Sequence, residues 1–428
     1  MGGDYNLVPG VSVGEFVLGE SLWRILDVLR ASKIRYPKVE ISWDTENAVK
    51  SAVTVHLPHL TLYFPPSPHQ ILTLITIPDV PSAHFVISYE TTILHSPTAG
   101  SRSPSPLNRG KIGKVFGPTY AGSSNGKLTY PGIAFELSGD GAREDVVSAL
   151  TVTGRSQETK PLNPLSSVTI NPGIGVTIHT NDTPDPLPIA LGETTSQDLL
   201  LDLGPPLRKF YKEDNRLQRM WGMTSNDQGS CFWNYFQYGL DFLVDSEGRI
   251  AKIICYSNIP GTPLFQRHAR CPWKISTAAG ELDFTSPLSS FRSAFGQANE
   301  KSSPSYPHEP QPSTPSESQP KASNGGGKKK KRGPSPQNLD SGSETVEKST
   351  QMLNGNKGHA GSSVATESQK KGMLLDRVVE GGFDGVEGLG PSRLVEYNGI
   401  IVEEDTESGG ITSILVYQTD RGKFREGE

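Results

Sequence analysis

Residues 122–126 read GSSNG, a G-x-S-x-G frame that would make Ser124 the nucleophile of a hydrolase. Such an elbow needs a strand before the serine and a helix after it, so that a strained turn lifts the hydroxyl. Here Gly117-Pro118 precede it and a strand-like KLTYPGIAF follows, so the segment reads as a polar hairpin loop. Phosphate chemistry is no better served. SSNGKL lacks the outer glycine of a phosphate loop, and GGGKKKK lies in low-complexity sequence. His56 and His59 stand on either side of Pro58, His69 falls in a turn, and HARC offers His268 and Cys271 without a second pair at ligand spacing. Acidic residues gather in turns (DSEG, EEDTESGG), where they solvate loops. No two carboxylates share an apolar setting that would drive their pKa values apart. The sequence therefore predicts no catalytic residues, no metal and no cofactor.

Binding chemistry is better represented. In CFWNYFQYGLDFLVD, alternation puts Phe232, Asn234, Phe236 and Tyr238 on one strand face and Trp233, Tyr235 and Gln237 on the other. These aromatics read first as core and second as a partner-facing patch. Downstream, a turn at Asn258, Pro260 and Gly261 stands beside Arg267, His268 and Arg270, a basic group able to meet phosphate or acidic side chains. With Tyr211, these residues are the expected partner-binding surface. The run Lys328, Lys329, Lys330, Lys331 and Arg332 reads as a solvated linker patch, with an acidic-lipid contact or a nuclear address as alternatives.

The elements that must position these groups repeat. LGESLWRILDVL places Leu22, Ile25, Leu26 and Leu29 on one helical face, and LGETTSQDLLLDLGPP sets Leu199, Leu200 and Leu203 on the same template. Thr194 with Gln197 has the form of a capping box, and Gly204-Pro205-Pro206 stops the helix. Strand-like runs follow each helix. The hairpin GLDFLVDSEGRIAKIICY at 239–256 recurs as GIIVEEDTESGGITSILVY at 399–417, with Ile250, Ile253, Ile254 and Cys255 matching Ile411, Ile414, Leu415 and Val416. Duplication of a helix-plus-sheet unit explains this. The predicted fold class is α+β, with short helices packed on curved antiparallel sheets. The predicted units are 1–94, a partial β-rich unit at 111–186, a central unit at 187–286, and a C-terminal unit at 287–428. A flexible insert at 95–110 and a disordered one at 297–372 interrupt them, and 153–167 reads as a loop.

Composition agrees with globular parts joined by polar inserts: 428 residues, 34 % hydrophobic, with 45 Gly and 34 Pro. A net charge of −5 gives no sign of a nucleic-acid binder. Three cysteines without paired spacing suit a reducing compartment. The N-terminus lacks the pattern of a signal peptide, and Asn6 stands where myristoylation wants Ser or Thr. A cytoplasmic protein is expected.

The combination LVPGVSVGEFVLGESLWRILDVL, DLLLDLGPPLRKFYKEDNRLQRMW, FWNYFQYGLDFLVD and YSNIPG…QRHARCPWKI resembles the phagosome assembly factor family. The resemblance covers 1–95, 110–150 and 190–275, and the C-terminal unit more loosely. It implies a non-enzymatic autophagy adaptor. That adaptor would associate with a WD-repeat β-propeller partner, be recruited to the pre-autophagosomal structure, and involve phosphoinositide membranes through the complex. An interaction subunit in vesicle or Golgi trafficking is the alternative, and a Ser124 hydrolase the third reading.

Overall fold

The computed structural model describes residues 4–97, 106–118, 126–139, 142–155, 159–211, 230–296, 373–376 and 391–419. Ser124 and the 328–332 run lie outside the described residues, as does the 297–372 insert. The described residues belong to one compact unit built from two lobes.

The first lobe contains β1 (Asp4–Val8), β2 (Ser12–Val13), β3 (Phe16–Val17), α1 (Leu22–Ala31), β4 (Glu40–Ser42), β5 (Val53–Leu57), β6 (Leu60–Phe64) and β7 (Leu74–Ile77). It continues with β8 (Val86–Tyr89), β9 (Thr92–His95), α2 (Arg109–Phe116), β10 (Lys127–Tyr130), β11 (Ile133–Leu137) and β12 (Val147–Thr153). The second lobe runs β13 (Leu165–Asn171), β14 (Gly175–Thr180), β15 (Leu187–Ala190), α3 (Ser196–Asp202), β16 (Arg208–Tyr211), β17 (Cys231–Tyr235), β18 (Leu240–Val244) and β19 (Ile250–Tyr256). It ends with β20 (Trp273–Thr277), β21 (Gly280–Asp283), α4 (Leu288–Phe295), β22 (Met373–Asp376), β23 (Pro391–Tyr397), β24 (Ile400–Asp405) and β25 (Ile411–Tyr417).

Apart from β22, the two lobes have the same order and the same pairing. The small sheets run β3-β2-β1-β8-β9 and β15-β14-β13-β20-β21, each with a parallel pair at its centre. The large sheets run β4-β5-β6-β7-β12-β11-β10 and β16-β17-β18-β19-β25-β24-β23-β22, all antiparallel. In each large sheet two helix-plus-meander units join through their last strands, which covers what would otherwise be two open edges.

The repeated hairpin is β18–β19 and β24–β25. Both carry a register shift near the turn, at Leu243/Val244 and at Glu403/Glu404. Ile250, Ile253 and Cys255 are buried, and so are Ile411, Ile414 and Val416. The two copies pair with each other in mid-sheet, Ile253 opposite Val416 and Cys255 opposite Ile414.

Several boundaries differ from the sequence reading. The seam between lobes falls between Thr153 and Leu165, so the 111–186 segment is divided: β10–β12 join the first lobe and β13–β15 the second. The 95–110 insert ends inside α2, whose N-cap Asn108 accepts from Lys111 N at 2.9 Å. The capping box on α3 is Thr195 with Asp198, one residue later than expected. In β17 the alternation holds, with Trp233 and Tyr235 in the core, but Phe236–Tyr238 leave the strand as a 3-10 turn closed by Gly239 at φ 67.

The helix register is half right. Leu199 is buried beside Leu240 and Ile253 and Leu203 packs on the same core, but Leu200 is 41 % exposed. Leu200 stands one residue beyond Leu199 in the helix, about 100° of rotation away from the face that meets the core. Leu199→Ala is expected to cost about 2–4 kcal/mol in urea denaturation, and Leu200→Ala less than about 0.5 kcal/mol. Equal losses would overturn the register.

Residues after the insert rejoin the fold through β25 on β19. Removing 301–371 shortens a closed loop, whose entropy changes only logarithmically with length. Calorimetry of that deletion is expected to find Tm within about 2 °C of the full chain. Cooperative loss of folding would sink the split-unit description.

Candidate functional site

The segment between β19 and β20 gathers most of the residues marked by sequence. Pro260, Pro263 and Pro272 remove ladder donors, so the chain cannot continue the sheet after Tyr256. It crosses instead to the first lobe. Asn258 takes φ 45, a left-handed conformation that its short polar side chain tolerates. Its amide donates to Gln70 Oε1 at 2.7 Å, and its Oδ1 accepts from Gln266 N at 2.9 Å. Trp23 Nε1 donates to Arg267 O at 3.1 Å, and the Arg30 guanidinium donates to both the backbone and side-chain oxygens of Gln266. Phe265 enters the first lobe's core, 5.9 Å from the Trp43 ring.

This placement corrects the expected surface. Arg270 is 2 % exposed, Asn258 and His268 are buried, Pro260 is buried and Gly261 half-buried; Arg267 alone of this loop group faces solvent. Arg270 donates to Ser257 O at 2.8 Å and Ser67 O at 3.0 Å, and lies 4.4 Å from the Phe284 ring. Burial pulls its guanidinium below the usual arginine range. The arginine ties the loop to the β6–β7 connection.

His268 sits in a second buried group. Its Nε2 lies 3.2 Å from Asp241 Oδ1, and its ring stacks on Tyr256 at 3.7 Å. Tyr256 donates its hydroxyl to Asp241 Oδ2 at 2.9 Å. The hydroxyl thus meets the carboxylate rather than the imidazole, whereas an activated nucleophile meets the base. The group fastens the loop to β18. Cys271, the other half of HARC, is fully buried; burial and the neighbouring Cys255 push its thiol upward, away from thiolate chemistry. Among the described residues no three His, Cys, Asp or Glu side chains gather as a metal site requires.

The exposed binding chemistry lies elsewhere. Tyr211 ends β16, the outer strand of the eight-stranded sheet, and is 61 % exposed. On α3, on β16 and on the link between them Leu200, Leu201, Leu207 and Phe210 are also exposed, Leu201 at 84 %. Arg208 and Lys209 lie on the same strand, and Lys209 Nζ sits 3.9 Å from the Trp233 ring. The sequence reading found Tyr211 and missed the rest. The available signal was leucine number: Leu199, Leu200, Leu201 and Leu203 are more than one face of a short helix can bury. Among the described residues no helix is long and apolar enough to cross a membrane.

Fold and surface define a duplicated α+β scaffold with a buried lobe-crossing loop and, among the described residues, exposed apolar side chains at the outer strand of its larger sheet. The chain belongs to the phagosome assembly factor 1 family, whose model matches residues 12–183 and 177–305. It is similar to a PHAF1 protein of Arabidopsis thaliana, 23 % identical over 325 residues, covering 64 % of this chain and 75 % of the relative. No solved structure matches the chain.

Proposed function

We propose that this protein is a non-enzymatic adaptor of autophagy that works by holding a protein partner at the forming phagophore. The family describes phagosome assembly. The observation that carries the adaptor reading is the number of exposed apolar side chains on α3, β16 and the link between them: Leu200, Leu201, Leu207, Phe210 and Tyr211. Aromatics and arginine at such a patch are the side chains that anchor protein interfaces. The partner class is a WD-repeat β-propeller, as the family resemblance implies, and phosphoinositide membranes are reached through the complex.

The test is the tagged full chain in its native host, followed by microscopy and by affinity purification. Under starvation it should form puncta overlapping autophagy markers and co-purify a WD-repeat protein. Puncta confined to Golgi or secretory vesicles would replace this reading with the trafficking one. Purified chain that binds phosphoinositide liposomes strongly by itself at physiological salt would overturn the partner-first route.

A further inference from the structure

The lobes repeat each other down to the register of their outer strands, yet among the described residues only one of two corresponding grooves is filled. In the first lobe the groove lies between α1, the β6–β7 connection and Trp43, just past β4. It holds the 257–270 loop, with Trp23, Arg30 and Gln70 bonded to it and Phe265 beside Trp43.

The counterparts in the second lobe follow from pairing. Ile41 lies opposite Val55, two residues before Leu57, which faces Leu60. Lys209 lies opposite Trp233, two residues before Tyr235, which faces Leu240. Ile41 therefore corresponds to Lys209, and Trp43 to Tyr211. The helix caps agree: Ser21 bridges Ile71 as Thr195 bridges Arg249, which sets Leu26 against Leu200. Leu26 is fully buried, whereas Leu200 and Tyr211 are exposed. Among the described residues no strand pairs with the outer edge of β16.

We propose that the α3–β16 edge is a docking groove for an extended segment of a partner protein, which adds as a strand to β16 and lays an aromatic side chain beside Tyr211. This rests on the adaptor reading and gives its interface. Unpaired strand groups supply register and affinity in such additions, and side-chain pockets supply specificity. The internal precedent is Phe265 beside Trp43 at the corresponding place. Arg208 and Lys209 lie on the strand that the segment would pair with, whereas Asp198 and Asp202 lie on α3, so the segment should carry acidic residues where it runs along β16. A second copy of this chain cannot offer its own aromatic loop, because 257–270 is occupied within the fold.

The experiment selects a random peptide library displayed on phage against the full chain, then measures a synthetic enriched peptide by calorimetry. Enriched sequences should combine an aromatic residue with acidic neighbours. Affinity should fall about tenfold or more in Leu201→Asp and in Tyr211→Asp, whose Tm should stay unchanged because both residues are exposed. Methylating alternate backbone amides along one edge of the peptide should abolish binding, as strand addition requires. Unchanged affinity in both variants would overturn the groove. So would a rise in affinity on deleting 212–229, which would make that segment the occupant, or a dimer in sedimentation that Leu201→Asp dissolves. If the peptide arms fail while starvation puncta and WD-repeat capture persist, the groove is wrong and the adaptor role stands. Peptide binding without puncta removes the adaptor role and keeps the groove.

Discussion

Gly399→Ala and Gly132→Ala should each lower stability by about 3 kcal/mol or more, and by amounts within about 1 kcal/mol of each other. The two glycines occupy corresponding turns, between β23 and β24 and between β10 and β11. Gly399 has φ 85 and Gly132 φ 84, a region that costs an L-residue about 1–2 kcal/mol. Both turns also press on a second glycine. A Cβ on Gly399 would lie 2.5 Å from the Gly173 Cα, and one on Gly132 would lie 2.5 Å from the Gly10 Cα. Those neighbours are backbone and cannot swing aside, so overpacking adds about 1–3 kcal/mol. The contacts carry matching hydrogen bonds, Gly10 N to Gly132 O at 2.9 Å and Gly173 N to Gly399 O at 3.2 Å. Urea unfolding with matched m-values is the measurement. A near-neutral result at one site and a large loss at the other would break the equivalence of the lobes.

Arg270→Ala should cost about 2–5 kcal/mol and loosen the lobe junction before the rest of the chain. The change leaves the Ser257 carbonyl without its donor, a buried loss worth about 1–3 kcal/mol, takes from the Ser67 carbonyl one of two donors, leaving it Gln70 N, and opens a cavity over Phe284. Arg270→Lys keeps a cation but not the fork that reaches separate carbonyls, so its loss should be smaller and still clear. Hydrogen exchange should rise at 64–72 and 257–271 ahead of β18, β19 and β25. Uniform acceleration would mean that the loop does not act as a separate fastening. Unchanged exchange would show that Arg270 holds nothing.

The two predictions mark where sequence and tertiary structure divide. The amino-acid sequence determined the duplicated hairpins, because Ile253 and Cys255 and their partners Ile414 and Val416 follow the period of a strand with one buried face, and Ile250 and Ile411 break that period at the same place in each copy, where the register shifts. It determined the α1 stripe by spacing, and it marked the family through contiguous words such as LGPPLRKFY and SNIPG. It could not assign Arg267, His268 and Arg270 to surface or interior. Charged residues are exposed by default, and the carbonyls that receive Arg270 belong to Ser67 and Ser257, nearly two hundred residues apart from one another. Nor could it separate Leu199 from Leu200, since a one-residue rotation decides which leucine meets Ile253. What only the tertiary structure decided was the seam between lobes at 153–165 and the exchange of roles between the loop and the edge. The basic loop is consumed in joining lobes, while among the described residues nothing pairs with the outer edge of β16, and leucines at the end of α3 are exposed. Local periodicity fixes which faces are apolar; which of those faces finds a partner within the chain depends on long-range register, and that is written in no contiguous stretch of residues.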